Sequence, residues 1–238
     1  MHKLVLIRHG ESIWNKRDIF TGWCDIGLSR DGKKEAKRAA ELLKGSSFDI
    51  AFSSILKRSL QSLEIILKKL NLKIPIITSW KLNERHYGSL QGEKKNEIKK
   101  KFGKERFFKW RRSYDVRPPA LNENNLNKEK IFKGIHVPLT ESLKDVEERV
   151  IPFFKEAILP EIKKGKNVLI LSHGSTMRVF LKYFLNISSK DVEHVNVPTG
   201  FPLIFEFNDR IELVKYYYLG DEGQVKEATQ KVKEQGSV

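Results

Sequence analysis

The segment Leu4-Val5-Leu6-Ile7 is a short apolar run that stops abruptly at Arg8-His9-Gly10. The pattern returns far downstream, where Val168-Leu169-Ile170-Leu171 gives way to Ser172-His173-Gly174. Runs of this length and composition suit strands covered on both faces, as in a parallel sheet between helices. Two strands that each end in His-Gly can set both imidazoles at the carboxyl edge of one sheet, where α/β proteins keep their chemistry. That pair is the organising fact.

The remaining segments supply the other parts of such a fold. Ser29 reads as the N-cap of a helix with Ala36, Ala39, Ala40, Leu42 and Leu43 on its apolar face, ending near Gly45. Asp49–Ser53 and Pro75–Thr78 read as strands, and Leu56–Leu70 as the helix between them. A helix opens at Thr140-Glu141-Ser142-Leu143 and runs to Gly165, with interruptions expected at Pro152 and Pro160. Strand Asn167–Leu171 and helix Met177–Leu185 follow. Leu203–Phe207 and Ile211–Tyr217 then form a hairpin. The expected fold is α/β, a single doubly wound, mostly parallel sheet flanked by helices. Residues 1–220 form one domain, with a basic helical lid insertion at about 88–140. The Asn- and Lys-rich stretch 120–137 reads as mobile, and 221–238 as a flexible, polar C-terminal tail.

Charge and cysteine content narrow the function classes. The formal net charge is +15, from 45 Lys and Arg against 30 Asp and Glu. Residues 93–112 hold seven Lys, three Arg and three Glu, a net +7, so nearly half of the excess lies in one excursion. Aromatic-rich ribonucleoprotein motifs, zinc-finger spacings and Gly-Arg repeats are missing, so no nucleic-acid partner is expected; small phosphorylated acids, polyanions in general and a merely solvated basic face all stay open. No apolar stretch approaches the roughly 20 residues that cross a bilayer, and Met1-His2-Lys3 leads straight into a strand, so a cytoplasmic protein is expected. Cys24, the one cysteine, excludes an internal disulfide and a cysteine metal site. His9 and His173 lack a third ligand at HxxxH or HxH spacing, and Arg8 would repel a divalent cation, so no metal is expected.

A histidine with an ordinary pKa of roughly 6.5 offers a neutral ring as nucleophile at cellular pH. Arg8 beside His9, Arg58 in the first turn of the helix after strand 49–53, and His173 on a neighbouring strand would surround a phosphoryl group with cations. Positive charge at a helix N-terminus is unfavourable alone, which an anionic ligand near Arg58 would offset. Glu84, in the crowded loop Trp80–Gly88, is the preferred proton donor. Its protonated form would need support from desolvation or from the substrate's own phosphate. Glu11, directly after His9-Gly10, better suits a structural hydrogen-bonding role.

Arg8-His9-Gly10-Glu11-Ser12-x-Trp14-Asn15, Phe20-Thr21-Gly22-Trp23, Leu56-Lys57-Arg58, Leu82-Asn83-Glu84-Arg85-His86-Tyr87-Gly88, Trp110-Arg111-Arg112-Ser113-Tyr114-Asp115 and Pro198-Thr199-Gly200 closely resemble the cofactor-dependent phosphoglycerate mutases of the histidine phosphatase superfamily. The resemblance implies a phosphohistidine at His9, Glu84 as proton donor and acceptor, His173 steadying the transition state, and 2,3-bisphosphoglycerate as priming phosphoryl donor. It further implies a phosphoglycerate site lined by Arg8, Ser12, Asn15, Thr21, Gly22, Arg58, Glu84, Arg85, His86, Tyr87, Lys95, Arg111, Arg112, Gly174 and Ser175. Lys95, Arg111 and Arg112 would then meet a carboxylate and a second phosphate. The family usually has asparagine where this chain has Ser175. Three alternatives remain: a phosphatase in which water takes the group from His9, a bisphosphoglycerate synthase, disfavoured by Ser12, and a polyanion-binding scaffold. The insertion with Trp110-Arg111-Arg112 favours the mutase. A homodimer or homotetramer is compatible with the resemblance.

Overall fold

The computed structural model describes residues 2–125 and 130–235. Residues 126–129 of the Asn- and Lys-rich stretch and residues 236–238 of the tail lie outside them.

In chain order the elements are β1 (His2–Arg8), α1 (Ile13–Lys16), α2 (Arg30–Leu42), β2 (Ile50–Ser53), α3 (Lys57–Leu70), β3 (Ile76–Thr78), α4 (Lys95–Phe102), α5 (Lys104–Arg112), α6 (Leu143–Phe153), α7 (Leu159–Lys163), β4 (Val168–Ser172), α8 (Gly174–Leu185), β5 (Pro202–Phe207), β6 (Leu213–Tyr218) and α9 (Glu222–Glu234). The six strands form one sheet in the order β3-β2-β4-β1-β5-β6. The β3–β2, β2–β4 and β4–β1 pairings are parallel, and β5 and β6 add antiparallel to β1 and to each other. The mostly parallel α/β sheet expected from the two His-Gly strands is therefore present.

The continuous apolar runs are explained by two covered faces. Leu4 and Leu6 of β1 join Phe52, Val168, Ile170 and Phe205 in a core against α6 and α8, which contribute Val146, Val150 and Phe180. The alternate residues Val5 and Ile7 join Ala51, Leu169 and Leu171 against Ala39, Ala40, Leu63 and Ile66 of α2 and α3. A strand with period two must be apolar throughout to fill both cores.

Two expectations change. The helix through Pro152 is not interrupted there: this exposed proline lies inside α6, and a wider turn at Phe154–Ile158 leads into α7. Pro160 sits in the first turn of α7, where no amide donor is required. The segment read as a flexible tail forms α9, capped by the Asp221 side chain. Its Val232 is buried, and the Val232 carbonyl accepts from Arg111 Nη2 at 3.3 Å. The excursion 88–140 adds no strand among its described residues. Its helices α4 and α5 share a small apolar cluster, in which Ile98 and Phe107 meet Phe20 and Leu90.

Candidate functional site

Strand register builds the centre of the site. Arg8 pairs with Ser172 across β1 and β4, so the next residues, His9 and His173, leave the sheet side by side. The His9 amide donates to the Ser172 carbonyl at 3.0 Å, and the two ring centroids stand 4.8 Å apart. Ser53 pairs with Leu171 on the other side of β4, which brings Ser54 Oγ to 2.6 Å from His173 Nε2. Close packing behind His9 is set by glycine. A Cβ on Gly10 would lie 2.2 Å from the Gly32 carbonyl oxygen, so only a bare backbone lets the strand end meet α2 here.

The tautomer of His9 follows from its neighbour. Nδ1 lies 2.6 Å from the Gly10 carbonyl, which can only accept, so Nδ1 carries the proton and the lone pair belongs to Nε2. Burial, then the charges of Arg58 and Arg8, hold the ring's pKa well below its ordinary value. His9 is therefore neutral at physiological pH. His173 is pushed the same way by burial, Arg58 and His9, and its Nδ1 has no hydrogen-bond partner among the described residues.

Cations surround these rings but are not neutralised by carboxylates. Arg58 is buried in the first turn of α3, donating from Nη2 to the Gly22 carbonyl at 2.7 Å and from Nη1 to that of Cys24 at 3.0 Å. Burial lowers its pKa to about 10, which leaves it charged. Arg8 donates from Nη1 to the Val197 carbonyl at 2.7 Å, while its Nε has no partner. Glu84 faces them across Gly174: a Cβ on that glycine would stand 3.5 Å from Arg8 Cζ and 3.6 Å from Glu84 Oε2. The carboxylate accepts from the Arg85 amide at 2.7 Å and from the Ser175 amide at 3.2 Å. It is thereby fixed at the N-terminus of α8, which favours an anion. Its loop is anchored from behind, where the Glu84 carbonyl accepts from Trp23 Nε1 at 2.6 Å and from Arg149 Nη2 at 3.0 Å.

One cavity collects most of the expected residues. Arg8, His9, Asn15, Thr21, Gly22, Arg58, Glu84, Tyr87, Lys95, Arg111, Arg112, Gly174 and Ser175 line it. The cationic side chains on its wall number six, including Arg178, against the single carboxylate of Glu84. Lys95 is buried with Asp18 2.8 Å from its Nζ, and burial followed by the charge of Arg111 lowers its pKa. Among the described residues no group of three or more His, Cys, Asp and Glu is arranged to hold a metal.

Four expected residues stand behind the wall. His173 touches His9 and Ser54 rather than the cavity surface. Ser12 is consumed as the N-cap of α1, where its hydroxyl accepts from the Asn15 amide at 3.0 Å. Arg85 is fully buried and donates to the Arg111 carbonyl at 2.5 Å. His86 turns toward Gly88 and Gln91, and its backbone amide donates to Glu141. Ser12, Arg85 and His86 therefore do not line this cavity: the first is used in a cap, and the other two face inward as the chain bends into Gly88, whose φ is +59°. Glu11 accepts from Ser29 Oγ and stays outside the cavity.

Sequence reasoning missed Ile19, Phe20, Arg178, Val195, Val197 and Gln235 on the wall. The signal for Arg178 was available: it interrupts the apolar face of α8 between Met177 and Val179 and is only 4% exposed. A buried charge in such a helix asks for a reason. Gln235 was hidden by the reading of the C-terminal segment as a tail.

Comparison with known proteins agrees with this geometry. Residues 4–217 match the histidine phosphatase superfamily (branch 1). Two relatives from Borreliella burgdorferi, strains ZS7 and B31, are named 2,3-bisphosphoglycerate-dependent phosphoglycerate mutase. Each is 47% identical over 247 residues, covering 100% of this chain and 100% of the relative. Among solved structures, a mycobacterial glucosyl-3-phosphoglycerate phosphatase in complex with VO3 superposes with a TM-score of 0.72 at 21% identity, covering 92% of this chain and 97% of that one. The α-ribazole phosphatase of Shigella flexneri gives a TM-score of 0.69 at 21% identity, covering 92% and 99%. These two likenesses concern the fold.

Proposed function

Because the chain belongs to the histidine phosphatase superfamily, branch 1, we propose that it is a 2,3-bisphosphoglycerate-dependent phosphoglycerate mutase. It interconverts 3-phosphoglycerate and 2-phosphoglycerate, a step of glycolysis and gluconeogenesis carried out in the cytoplasm. The observation that carries the reading is a neutral His9 whose Nε2 lone pair is left available, beside a cavity with six cations and one carboxylate. The full-length relatives named as such mutases support it.

The residues divide the work as follows. His9 Nε2 attacks phosphorus, the P–O bond to the donor breaks, and the Gly10 carbonyl steadies the charge that develops on the ring through Nδ1–H. Arg8 and Arg58, held by carbonyls rather than carboxylates, keep their charge for the transferring group. His173 lies against the ring of His9 and assists in the transition state. Glu84 gives a proton to the departing oxygen and takes one from the hydroxyl that next attacks the phosphorylated His9. Bound 2,3-bisphosphoglycerate supplies the priming phosphoryl group, and the orphaned Arg8 Nε and the excess of cations fit a polyanion of this kind. Lys95, Arg111 and Arg112 receive the carboxylate and second phosphate, with α4 and α5 as a lid that keeps water from the phosphorylated ring.

A coupled assay with 3-phosphoglycerate, with and without 2,3-bisphosphoglycerate and in parallel with phosphate release, tests this. Strong stimulation by the bisphosphate with little free phosphate is expected, unchanged by a chelator. Rapid phosphate release without isomerisation would assign a phosphatase instead. His9→Ala should abolish both isomerisation and acid-labile phosphate labelling, and retained labelling removes His9 from its role.

A further inference from the structure

Arg111 and Arg112 are the last two residues of α5, where a helix leaves carbonyls without intrahelical partners and presents its negative end. Each of these two carbonyls is taken by another buried arginine. Arg85 Nη2 donates to the Arg111 carbonyl at 2.5 Å, and Arg178 Nη2 to that of Arg112 at 2.7 Å. The two anchors come from the two halves of the catalytic floor. Arg85 directly follows Glu84 and gives that carboxylate its amide, whereas Arg178 lies in the helix whose N-cap is His173.

Arg178 reaches further. Its Nη2 and Nε both donate to the Val192 carbonyl, at 2.8 and 3.2 Å. The same strap, residues 192–197, accepts from Arg112 at Glu193 and Val195, at 2.7 and 2.5 Å, and from Arg8 at Val197. Among the described residues none of these arginines has a carboxylate partner within ion-pair distance; Arg117 and Arg149 are the arginines that do. Carbonyl dipoles can aim a guanidinium without cancelling its charge. A planar fork is needed to hold carbonyls of two different segments at once, which a lysine cannot reproduce.

We infer that Arg178, with Arg85, is a positioning residue that fastens the carbonyl end of α5 to the loops of Glu84 and His173. This holds the substrate-facing arginines in register with His9 and closes the phosphorylated ring to water. The inference rests on the phosphohistidine reading given above. Loss of the clamp should therefore appear as leakage of the phosphoryl group to water and as weaker substrate binding, more than as slower loading of His9.

The test is Arg178→Lys, which keeps the charge and removes the fork. In a variant whose thermal midpoint shows it to be folded, loading of acid-labile phosphate from 2,3-bisphosphoglycerate is expected to persist. The ratio of phosphate release to isomerisation and the KM for 3-phosphoglycerate should each rise about tenfold. On an Arg112→Ala background the same change should raise KM by less than about twofold, because the Arg112 carbonyl remains but the guanidinium that the clamp aims at substrate is already gone. An unchanged ratio and KM in folded Arg178→Lys, or full additivity with Arg112→Ala, overturns the inference. Should Arg178→Lys not fold, amide exchange in the unaltered protein decides. Residues 109–113 should exchange as slowly as β1 and β4, and exchange there as fast as at exposed Gly103 refutes the clamp. If the unaltered protein neither labels nor isomerises, the mutase reading fails, and the exchange result still judges the clamp separately.

Discussion

His86 offers a prediction whose size follows from its surroundings. The ring is completely buried, and Nδ1 accepts from the Gly88 amide at 3.1 Å, which puts the neutral ring's proton on Nε2, 3.2 Å from Gln91 Nε2. The Gln91 oxygen is already used by the Trp23 amide at 2.8 Å, so the amide group cannot simply turn over. Protonation would place a second proton on Nδ1, against the Gly88 amide, and break that hydrogen bond. Burial lowers the pKa of His86 to about 4 from an ordinary 6.5, with Glu141 pulling weakly the other way and Arg149 adding to the drop. The unfolded chain therefore binds a proton that the folded chain refuses between about pH 6.5 and pH 4. The stabilisation is complete above pH 6.5 and is lost as pH falls through that window. The whole gap is worth about 3 kcal/mol, of which about 2 kcal/mol is lost between pH 7 and pH 5. His86→Gln cannot titrate, and its side-chain oxygen can still accept from Gly88. At pH 7 the variant should be less stable by about 1–2 kcal/mol through poorer hydrogen bonding. By pH 5 that deficit should have shrunk by about 2 kcal/mol. Urea unfolding at pH 7, 6 and 5, followed by tryptophan fluorescence, reads this difference, with the Trp23 ring only 5.9 Å from His86 as local reporter. His9 and His173 destabilise both proteins alike in acid and cancel. A stability difference that stays constant from pH 7 to pH 5 would refute the reasoning.

Three further outcomes are expected. Gly10→Ala drives a methyl group to 2.2 Å from the Gly32 oxygen, backbone against backbone. It should cost about 2–3 kcal/mol in urea unfolding and displace His9, with turnover lost even in the folded fraction. Arg149→Met strands the buried Glu141 carboxylate, now 2.7 Å from Arg149 Nε, and releases the Glu84 carbonyl. A loss of about 3–5 kcal/mol is expected from denaturation curves, and a loss under about 1 kcal/mol would mean that the pair is not sealed from water. Arg58→Lys keeps a charge but cannot serve the carbonyls of Gly22 and Cys24 together. It should lower kcat by about a hundredfold while leaving KM within a few fold, as steady-state kinetics would show.

The parts of the fold that could be read from the sequence are those in which one physical demand governs a whole segment. The runs Leu4–Ile7 of β1 and Val168–Leu171 of β4 had to be apolar at every position because α2 and α3 cover one face and α6 and α8 the other, and that uniformity is visible without coordinates. The same runs end in His-Gly because β1 and β4 are parallel neighbours in register, so a repeated local pattern reported a contact between distant residues. α9 was obscured for the opposite reason. Among its described residues only Val232 is buried, so little apolar periodicity marks the helix, which is held instead by a cap at Asp221 and a hydrogen bond from Arg111.

Within the site, identity was easier to read than direction. Glu84, Arg85, His86 and Tyr87 are consecutive, yet the cavity receives Glu84 and Tyr87, while Arg85 and His86 serve the opposite side of the same loop. Sequence adjacency says that these residues share a loop; the positive φ at Gly88 and the anchors at Trp23, Glu141 and Arg149 decide which way each one points. Net charge had the same limit. The excess of lysine and arginine on residues 93–112 suggested an acidic ligand, but most of those lysines are exposed and only Lys95, Arg111 and Arg112 reach the wall. Lys95 keeps a carboxylate partner, Asp18, at 2.8 Å, but the two arginines differ from the exposed lysines in the partner each cation finds. The exposed lysines meet water or a nearby carboxylate, as Lys109 meets Glu105, whereas the buried arginines meet carbonyls that orient them and leave their charge unspent. A cavity assembled from cations held in this second way favours an anion whatever the total charge of the chain, and adding lysines to the outer face of α4 would not change what it binds.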